Sequence, residues 1–273
     1  MHVVSFKEFE QVYLRSVEEV ISFWSPAMQD SIARHCAPWK GFDFPAYLRL
    51  SSLRFYRIYS MILAAKPTGR VCDVGGFWGV FPLTLHRLGL VCDMTEAMGY
   101  YDSCFDRLFA RIRSSGVRVL DFDPFSSANP VPGTYDLVTA LAVIEHYPHS
   151  LAGFMGSLTA MIEADGRILI EVPNIAFLPT RWRMVRGISP LPDIADIYRS
   201  ATPFIGHHHE FTRAELRRLL DLAGLRVVAE DSYNYTIRAS TGLRGALVRT
   251  ALDGFGWYWP DTREVLVAMG GRK

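Results

Sequence analysis

The sequence lacks the features of several protein classes. No segment approaches the roughly 20 apolar residues that a membrane-spanning helix needs. The N-terminal stretch MHVVSFKEFEQVY meets charged residues too early for the apolar region of a signal peptide. The 4 cysteines form no CxxC pair, which is typical of small buried side chains in a reducing compartment. The net charge is only +1, so no strong overall attraction to nucleic acid or to an anionic membrane is expected. These absences predict a cytoplasmic protein without a transmembrane segment or a nucleic-acid partner.

Two kinds of pattern divide the chain of 273 residues. The N-terminal part is helix-like and rich in aromatic side chains, and Leu48, Phe55 and Ile62 recur every seven positions on one apolar helical face. From Gly69 onwards, short apolar runs alternate with helical segments, which favours βαβ units and a mainly parallel sheet. The predicted strands are 70–74, 90–95, 117–121, 135–140, 166–172, 226–237 and 264–269.

The clearest helix is predicted over 213–223. Thr212 and Glu215 form a capping box at its start, and Gly224 ends it. Leucines recur at helical spacing between these signals and make a buried stripe.

Two stretches, 174–211 and 239–262, are longer than ordinary connections between elements. Such stretches are typical of lids or substrate-binding elements. The sequence therefore predicts a helical N-terminal cap over 1–66, followed by a domain over 67–273 that carries these two insertions.

The stretch VCDVGGFWGVFP, residues 71–82, has the pattern of a strand that runs through a glycine turn into a helix. Glycines let the backbone approach a ligand closely, and the helix places its N-terminus beside that ligand. Taken alone, a tight βα turn with incidental glycines explains the pattern equally well. Glu96 ends the next predicted strand, 17 positions after Gly79, where a carboxylate can accept hydrogen bonds from both hydroxyls of a ribose. The alternative for Glu96 is an exposed side chain that caps the next helix.

At this point the sequence resembles the class I S-adenosylmethionine-dependent methyltransferases. The resemblance covers about 69–237, with a possible last strand at 264–269, and depends on the order and spacing of several motifs. After VCDVGGFWG and Glu96 come LDFDPF, TYDLVTALAVIEHYPH, GRILIEVPN and HHHEFTRAELRRLLDLAGLRVV. The resemblance implies a doubly wound, Rossmann-like α/β sheet with an antiparallel last strand, and S-adenosyl-L-methionine as the cofactor.

The resemblance also implies a set of cofactor-binding residues. These are Asp73 and Gly75 at the amino-acid end of the cofactor, Gly79 packed beneath it, Glu96 at the ribose, Asp123 at the adenine amino group, Phe122 or Met94 against the ring, and Leu141 near the sulfonium. The chain departs from the family at Phe77, where most members have a second glycine. We predict that the Phe77 ring points away from the cofactor, into the packing between the loop and the lid.

Two histidine-containing stretches are candidates for catalysis. IEHYPH contains Glu145 and His146, and GHHHEF contains His207, His208 and His209. A histidine titrates in the range needed to take a proton from a hydroxyl. We predict that His146 is the general base, that His207, His208 or His209 helps to orient the acceptor, and that Glu145 is a further catalytic candidate. The alternative is that these histidines are solvated loop residues.

Metal dependence is a sharper version of the same hypothesis. Ubiquinone-pathway O-methyltransferases and plant small-RNA 2′-O-methyltransferases have a Glu-x-x-Glu-His pattern here that binds a divalent metal. This chain has Ala142 in place of the first glutamate. Glu145, His146 and one of the histidines at 207–209 could still supply three ligands, but the missing carboxylate predicts that no metal is needed.

The sequence thus predicts methylation of a hydroxyl on a small molecule, such as a sugar or a secondary metabolite. The alternatives are an N- or C-methyltransferase, an RNA methyltransferase, or a non-catalytic scaffold that retains the fold and is marked by Phe77. In RWRMVRG, the arginines around Trp182 could grip a phosphate or carboxylate, or form the solvated face of a lid helix. GFGWYWP, with Tyr233 and Tyr235, could stack on a ring of the acceptor or be ordinary packing.

Overall fold

A computed structural model describes residues 4–124, 132–239 and 242–273. The helices of this part of the chain are α1 (Phe6–Ile21), α2 (Pro26–Ala33), α3 (Phe44–Leu50), α4 (Ser52–Ala65), α5 (Val80–Arg87), α6 (Asp106–Ser114), α7 (Leu151–Ala160), α8 (Leu178–Val185), α9 (Ile194–Arg199), α10 (Arg213–Leu222) and α11 (Gly242–Tyr258). The strands are β1 (Val71–Val74), β2 (Cys92–Glu96), β3 (Arg118–Asp121), β4 (Tyr135–Leu141), β5 (Ile162–Pro173), β6 (Leu225–Tyr233) and β7 (Val265–Arg272). No helix in the described ranges is both long enough and apolar enough to cross a membrane.

The strands form one sheet in the order β3-β2-β1-β4-β5-β7-β6. Strands β1 to β5 pair in parallel, while β7 runs antiparallel to both of its neighbours, β5 and β6. This arrangement confirms the predicted doubly wound α/β fold with an antiparallel last strand. The predicted strands are all present, and β6 ends at Tyr233 instead of continuing to residue 237 because the backbone N–H groups of Tyr235 and Thr236 donate to the Glu264 carboxylate.

Helices cover both faces of the sheet. Successive strand residues point to opposite faces, so each strand contributes side chains to both cores. On one face, α1, α4, α5 and α6 pack around apolar residues such as Val71 and Leu137. On the other face, α7 and α10 pack around residues such as Cys72 and Val138. Burial on both faces explains why β1 is a continuous buried run instead of an alternating one.

The N-terminal helices belong to the first of these cores. Phe9 and Tyr13 of α1 are fully buried, and the Phe9 ring lies 5.2 Å from that of Tyr59 in α4. The apolar helical face predicted to include Leu48 is divided between two helices. Helix α3 ends at Leu50 and α4 begins at Ser52, with Ser51 between them. The capping box predicted for α10 is confirmed, with both of its hydrogen bonds present.

The turn between β1 and α5 requires a left-handed backbone at three positions. Gly75 has φ +67° and Gly79 has φ +74°, and Phe77 between them has φ +54°. Phe77 therefore adopts a conformation that favours glycine, at a cost of roughly 1–2 kcal/mol for a residue with a Cβ atom. Its ring stacks on Trp78 at 4.3 Å and lies 5.7 Å from the Phe44 ring of α3. Packing against the N-terminal helices thus offsets the strain of the turn.

This strain predicts an unusual order of stability for two substitutions of Phe77. Phe77→Gly and Phe77→Ala both remove the ring, but only alanine keeps the Cβ atom that the left-handed backbone disfavours. We expect Phe77→Gly to be more stable than Phe77→Ala by about 1 kcal/mol, measured by urea unfolding. Phe42 has an ordinary φ of −80°, so the matched pair Phe42→Gly and Phe42→Ala should show the reverse order. An alanine variant at least as stable as the glycine variant at Phe77 would contradict the assigned backbone strain.

Candidate active site

A cavity of about 700 Å³ opens at the carboxyl ends of the parallel strands. This is the edge at which ligands bind in open α/β sheets. The β1–α5 turn, the ends of β2, β4 and β5, the N-terminal helices and the insertion after β5 all contribute to its lining. The predicted cofactor residues Asp73, Gly75, Glu96, Phe122, Asp123 and Leu141 line it.

Asp73 is a buried carboxyl group at the end of β1. One of its oxygens accepts a hydrogen bond from Thr139 Oγ1 at 2.5 Å, and only 3% of the residue is exposed. Burial raises the pKa of Asp73 to about 7, although the Thr139 hydrogen bond and the nearby Arg54 charge oppose this change. The side chain would gain from a ligand that brings a cationic group or hydrogen-bond donors.

Glu96 is the corresponding buried carboxyl group at the end of β2. Its exposed fraction of 6% contradicts the alternative of an exposed helix cap. Tyr101 donates to Oε2 at 2.9 Å, while Oε1 has no partner among the described residues. Burial raises the pKa of Glu96 to about 8, and the Tyr101 hydrogen bond opposes this change. An unpartnered buried carboxylate oxygen is costly, so hydroxyl donors of a ligand would stabilise this site.

The glycines of the β1–α5 turn are required by close contacts as well as by their backbone conformation. A Cβ atom on Gly75 would lie 2.8 Å from Val143 Cγ2, and one on Gly79 would lie 2.6 Å from Ile112 Cδ1. Met94 packs beneath this turn: a Cβ atom added to Gly76 would lie 3.1 Å from the Cβ atom of Met94. Met94 does not line the cavity but Phe122 does, so Phe122 is the residue available to contact a ring there.

Glu145 lies in a short 3₁₀ turn that follows β4. It is fully buried, and neither carboxylate oxygen has a hydrogen-bond partner among the described residues. Burial raises its pKa to about 7, and the neighbouring His207 opposes that change. Its position, like that of Glu96, requires a partner that the described side chains do not supply.

His146 and His207 complete a cluster with Glu145. One ligand atom from each residue can be chosen so that the three atoms lie within 4.8 Å of one another. His146 Nδ1 is 2.7 Å from the Ile205 carbonyl oxygen, so it carries the proton and Nε2 is the free acceptor. His207 Nδ1 is 3.0 Å from Glu210 Oε1, which likewise leaves Nε2 free.

The pKa values of the two histidines in this cluster are shifted in opposite directions. Burial lowers the pKa of His146 to about 3, and the nearby His207 adds to that effect. Burial also disfavours the charged form of His207, but the Glu210 hydrogen bond and the Glu145 charge outweigh it and raise its pKa. His146 is therefore a weak proton acceptor, while His207 is a stronger one.

The remaining candidate residues lie elsewhere. His208 Nε2 is 2.9 Å from the Phe204 carbonyl oxygen, and His208 does not line the cavity. His209 is exposed, near Glu215. Arg181 and Trp182 also lie outside the cavity lining, as do the other arginines of RWRMVRG.

The sequence patterns missed a buried ion pair in the cavity wall. Arg54 of α4 donates through Nε to Glu171 Oε1 at 2.8 Å, and Tyr233 donates to the same oxygen at 2.6 Å. Arg54 Nη1 also donates to the Tyr47 hydroxyl at 2.6 Å. One local signal could have indicated that Arg54 is buried. Arg54 lies four residues before the buried Ile58, and so falls on the apolar face of the same helix.

Comparisons with known proteins place this geometry in a family. A family model described as a methyltransferase domain matches residues 50–230. No protein of curated function matches the sequence significantly.

Solved structures with the same fold include three informative relatives. An S-adenosylmethionine-dependent methyltransferase from Archaeoglobus fulgidus is 15% identical, with a TM-score of 0.52 over 81% of this chain and 93% of that chain. The 1,6-didemethyltoxoflavin-N1-methyltransferase of Burkholderia thailandensis, solved with 1,6-didemethyltoxoflavin and S-adenosylhomocysteine, is 14% identical, with a TM-score of 0.53 over 92% and 91% of the two chains.

The third is a methyltransferase from Thermotoga maritima described as a possible histamine N-methyltransferase. It is 13% identical, with a TM-score of 0.54 over 90% of this chain and 100% of that chain. At these identities the likeness is one of fold, while the family model covers most of the chain. The chain therefore belongs to the methyltransferase-domain family and has the fold of the class I S-adenosylmethionine-dependent methyltransferases.

Proposed function

We propose that this protein transfers the methyl group of S-adenosylmethionine to a hydroxyl of a small molecule. The observation that carries the proposal is the pairing of two features in one cavity. Buried carboxyl groups lie at the ends of β1 and β2, where Oε1 of Glu96 has no hydrogen-bond partner among the described residues, and His207, which pairs with Glu210, lines the same space. The first feature suits the cofactor, and the second suits a hydroxyl acceptor.

The residues at the ends of β1 and β2 fit the cofactor. Asp73 and the Gly75 backbone would hold its amino-acid end, Glu96 would accept hydrogen bonds from the ribose hydroxyls, and Gly79 would keep the loop close to the sheet. Phe122 would contact the adenine, with Asp123 beside it and Leu141 nearer the sulfonium. The unpartnered Oε1 of Glu96 supports this assignment, because a ribose hydroxyl is the kind of donor it lacks.

The bound cofactor supplies an activated methyl group, so the protein must mainly align the acceptor and manage its proton. We assign His207 as the proton acceptor. Its Nε2 would take the proton of the acceptor hydroxyl, while Glu210 holds Nδ1–H and stabilises the imidazolium that forms. Glu145 would accept a second hydrogen bond from the acceptor or stabilise that charge. His146, uncharged and held by the Ile205 carbonyl, would orient the acceptor through Nε2.

A specific observation favours a second candidate, in which the same cluster holds a divalent cation. Glu145, His146 and His207 each offer one ligand atom, and these oxygen and nitrogen donors lie within 4.8 Å of one another. Both histidines are fixed through Nδ1 by a carbonyl or a carboxylate, as is usual for metal-binding histidines. A cation there would satisfy the unpartnered oxygens of Glu145. Against this, Ala142 supplies no ligand, so the cluster offers three protein ligands among the residues that the structure describes.

The cofactor assignment predicts weaker binding in Glu96→Gln. We expect the affinity for S-adenosylmethionine to fall by about 1.5–3 kcal/mol, the scale of hydrogen bonds to a charged group, measured by isothermal titration calorimetry. The pKa of Glu96 is raised to about 8, so the group must lose a proton before it can accept both ribose hydrogen bonds. Wild-type affinity should therefore rise between about pH 6 and pH 8, and this rise should be smaller in Glu96→Gln. The matched control is Glu163→Gln, which changes an exposed carboxylate near the start of β5. Equal affinities of Glu96→Gln and wild type would refute the ribose assignment.

The choice of base predicts a contrast between neighbouring histidines. With an acceptor identified in a panel of phenols, sugars and amines, His207→Gln should lower turnover by about 10²–10⁴-fold, while His208→Gln should remain near wild type. Turnover should rise with pH through the pKa of His207, because the protonated ring cannot accept a proton. Glu210→Gln removes a group that raises this pKa, so the rise should move to lower pH. Full activity of His207→Gln, or a strictly amine-specific acceptor profile, would contradict the proposal.

Treatment with a chelator separates the two candidates. If His207 acts as a base, then dialysis against EDTA leaves turnover unchanged, and added Mg²⁺ or Mn²⁺ has no effect. We expect this result, because Ala142 replaces the first carboxylate of the metal-binding Glu-x-x-Glu-His pattern. Loss of activity in EDTA that is restored by a divalent ion, together with loss of that response in Glu145→Gln, would instead establish the cation-assisted mechanism.

A further inference from the structure

The insertion after β5 exposes a helix that has no buried side chain. Every residue from Arg181 to Ser189 is exposed, and Trp182 and Val185 expose 64% and 79% of their surface. A helix of eight residues is not stable by itself in water. Large apolar side chains exposed together on a monomer mark an interaction surface. Helix α8 is therefore a candidate binding surface.

The charge of this segment is of one sign. Arg181, Arg183 and Arg186 lie between Asn174 and Pro192, a stretch without any aspartate or glutamate. Arg181 and Arg183 donate to backbone carbonyl oxygens of Ala176 and Ser189, so neither bond neutralises its charge. The net charge of +1 for the whole chain hides this local excess. The segment therefore complements a negatively charged partner.

A second exposed segment leaves the sheet at the same point. Pro173 at the end of β5 pairs with Val265 at the start of β7, and Asn174 Nδ2 donates to the carbonyl oxygen of Arg263 at 2.7 Å. Just before this contact, the end of α11 and the residue after it expose three large aromatic side chains: Trp257 (76%), Tyr258 (77%) and Trp259 (56%). Tryptophan and tyrosine favour the boundary between lipid headgroups and acyl chains.

We propose that residues 178–192 and 257–259, here called the docking surface, bind a bilayer that contains anionic lipids. Arginines would contact the lipid phosphates, and the interleaved Trp182, Met184 and Val185, all exposed, would enter the headgroup boundary. Charge complementarity favours an anionic bilayer, because the stretch from Asn174 to Pro192 has three arginines and no acidic side chain, and lipid phosphates lie directly above the boundary that tryptophan prefers. Arginine side chains can extend toward headgroups while their stems lie against apolar surface.

The docking surface borders the cavity. Pro192 and Asp196 belong to the same insertion and line the cavity, as does Phe204 a few residues later. A bilayer at this surface would therefore lie beside the cavity. This inference does not depend on the methyl acceptor, because binding to vesicles is measured without turnover.

The test is co-sedimentation of the full chain with vesicles of phosphatidylcholine alone and of phosphatidylcholine mixed with phosphatidylserine. We expect binding to the mixed vesicles, weakening as salt rises because exposed charges are screened. The triple variant Arg181→Gln, Arg183→Gln and Arg186→Gln should bind about 100-fold more weakly, at about fivefold for each arginine. Trp182→Ser with Val185→Ser should also weaken binding, at any salt concentration. A third variant, Trp257→Ser with Tyr258→Ser, tests the second segment.

Matched controls lie on α10, away from the docking surface. Arg218→Gln and Leu222→Ser change an exposed arginine and a leucine that is 69% exposed, and both should bind as wild type does. All variants should retain the wild-type melting temperature and affinity for S-adenosylhomocysteine, because the changed side chains are exposed and lie outside the cavity lining.

Two results would overturn the inference. Wild-type protein that stays in the supernatant with both kinds of vesicle does not dock on anionic lipid. Concentration-dependent self-association in analytical ultracentrifugation, lost in Trp182→Ser with Val185→Ser and unaffected by vesicles, would identify the docking surface as a protein interface instead.

Discussion

The buried ion pair between Arg54 and Glu171 joins the N-terminal helices to the end of the sheet. Glu171 ends one of the central strands and is 1% exposed, so its charge needs a partner that water cannot supply. Arg54 supplies it from α4, and Tyr47 and Tyr233 occupy further hydrogen-bonding positions of the pair. Removing one member of such a pair leaves an uncompensated buried charge, which costs about 3–5 kcal/mol. The position of the helices over the cavity therefore depends on this contact.

The same arginine acts on the rest of the site through its charge. Asp73 and Glu145 are buried carboxyl groups around the same cavity, and the charge of Arg54 opposes the rise that burial causes in the pKa of each. One arginine cannot balance all the carboxyl groups there, and within the described part of the chain Glu96 and Glu145 keep oxygens without hydrogen-bond partners. The folded protein thus retains unmet hydrogen-bonding demand at the places where the cofactor and the acceptor are proposed to bind. Ligands with hydroxyl groups would meet that demand, which makes affinity sensitive to pH.

Local patterns predicted the sheet and several residues that line the cavity at the ends of β1 and β2, because both depend on short stretches of chain. Glu96 was found from its distance to the glycine turn, and α10 from its capping box. Arg54 was missed because its partner lies 117 positions away, and no local spacing reports such a contact. The sequence also could not choose among three consecutive histidines. Whether His207 or His208 faces the cavity depends on how the backbone of the insertion turns, since the backbone carbonyl oxygen of Glu145 accepts a hydrogen bond from the backbone N–H of His208 at 2.7 Å.

Phe77 shows how the two halves of the cavity depend on each other. A glycine at this position would fit the turn with less strain, but it would remove the ring that stacks on Trp78 and approaches Phe44. The N-terminal helices supply an aromatic wall in return, with Trp39, Phe42 and Phe44 lining the cavity opposite the polar ends of the strands. The strands thus present carboxyl groups common to a cofactor site, while the helices present the apolar surface against which an acceptor would pack. Under the proposed function, acceptor specificity would depend mainly on the N-terminal helices, which Arg54 and Phe77 attach to the sheet.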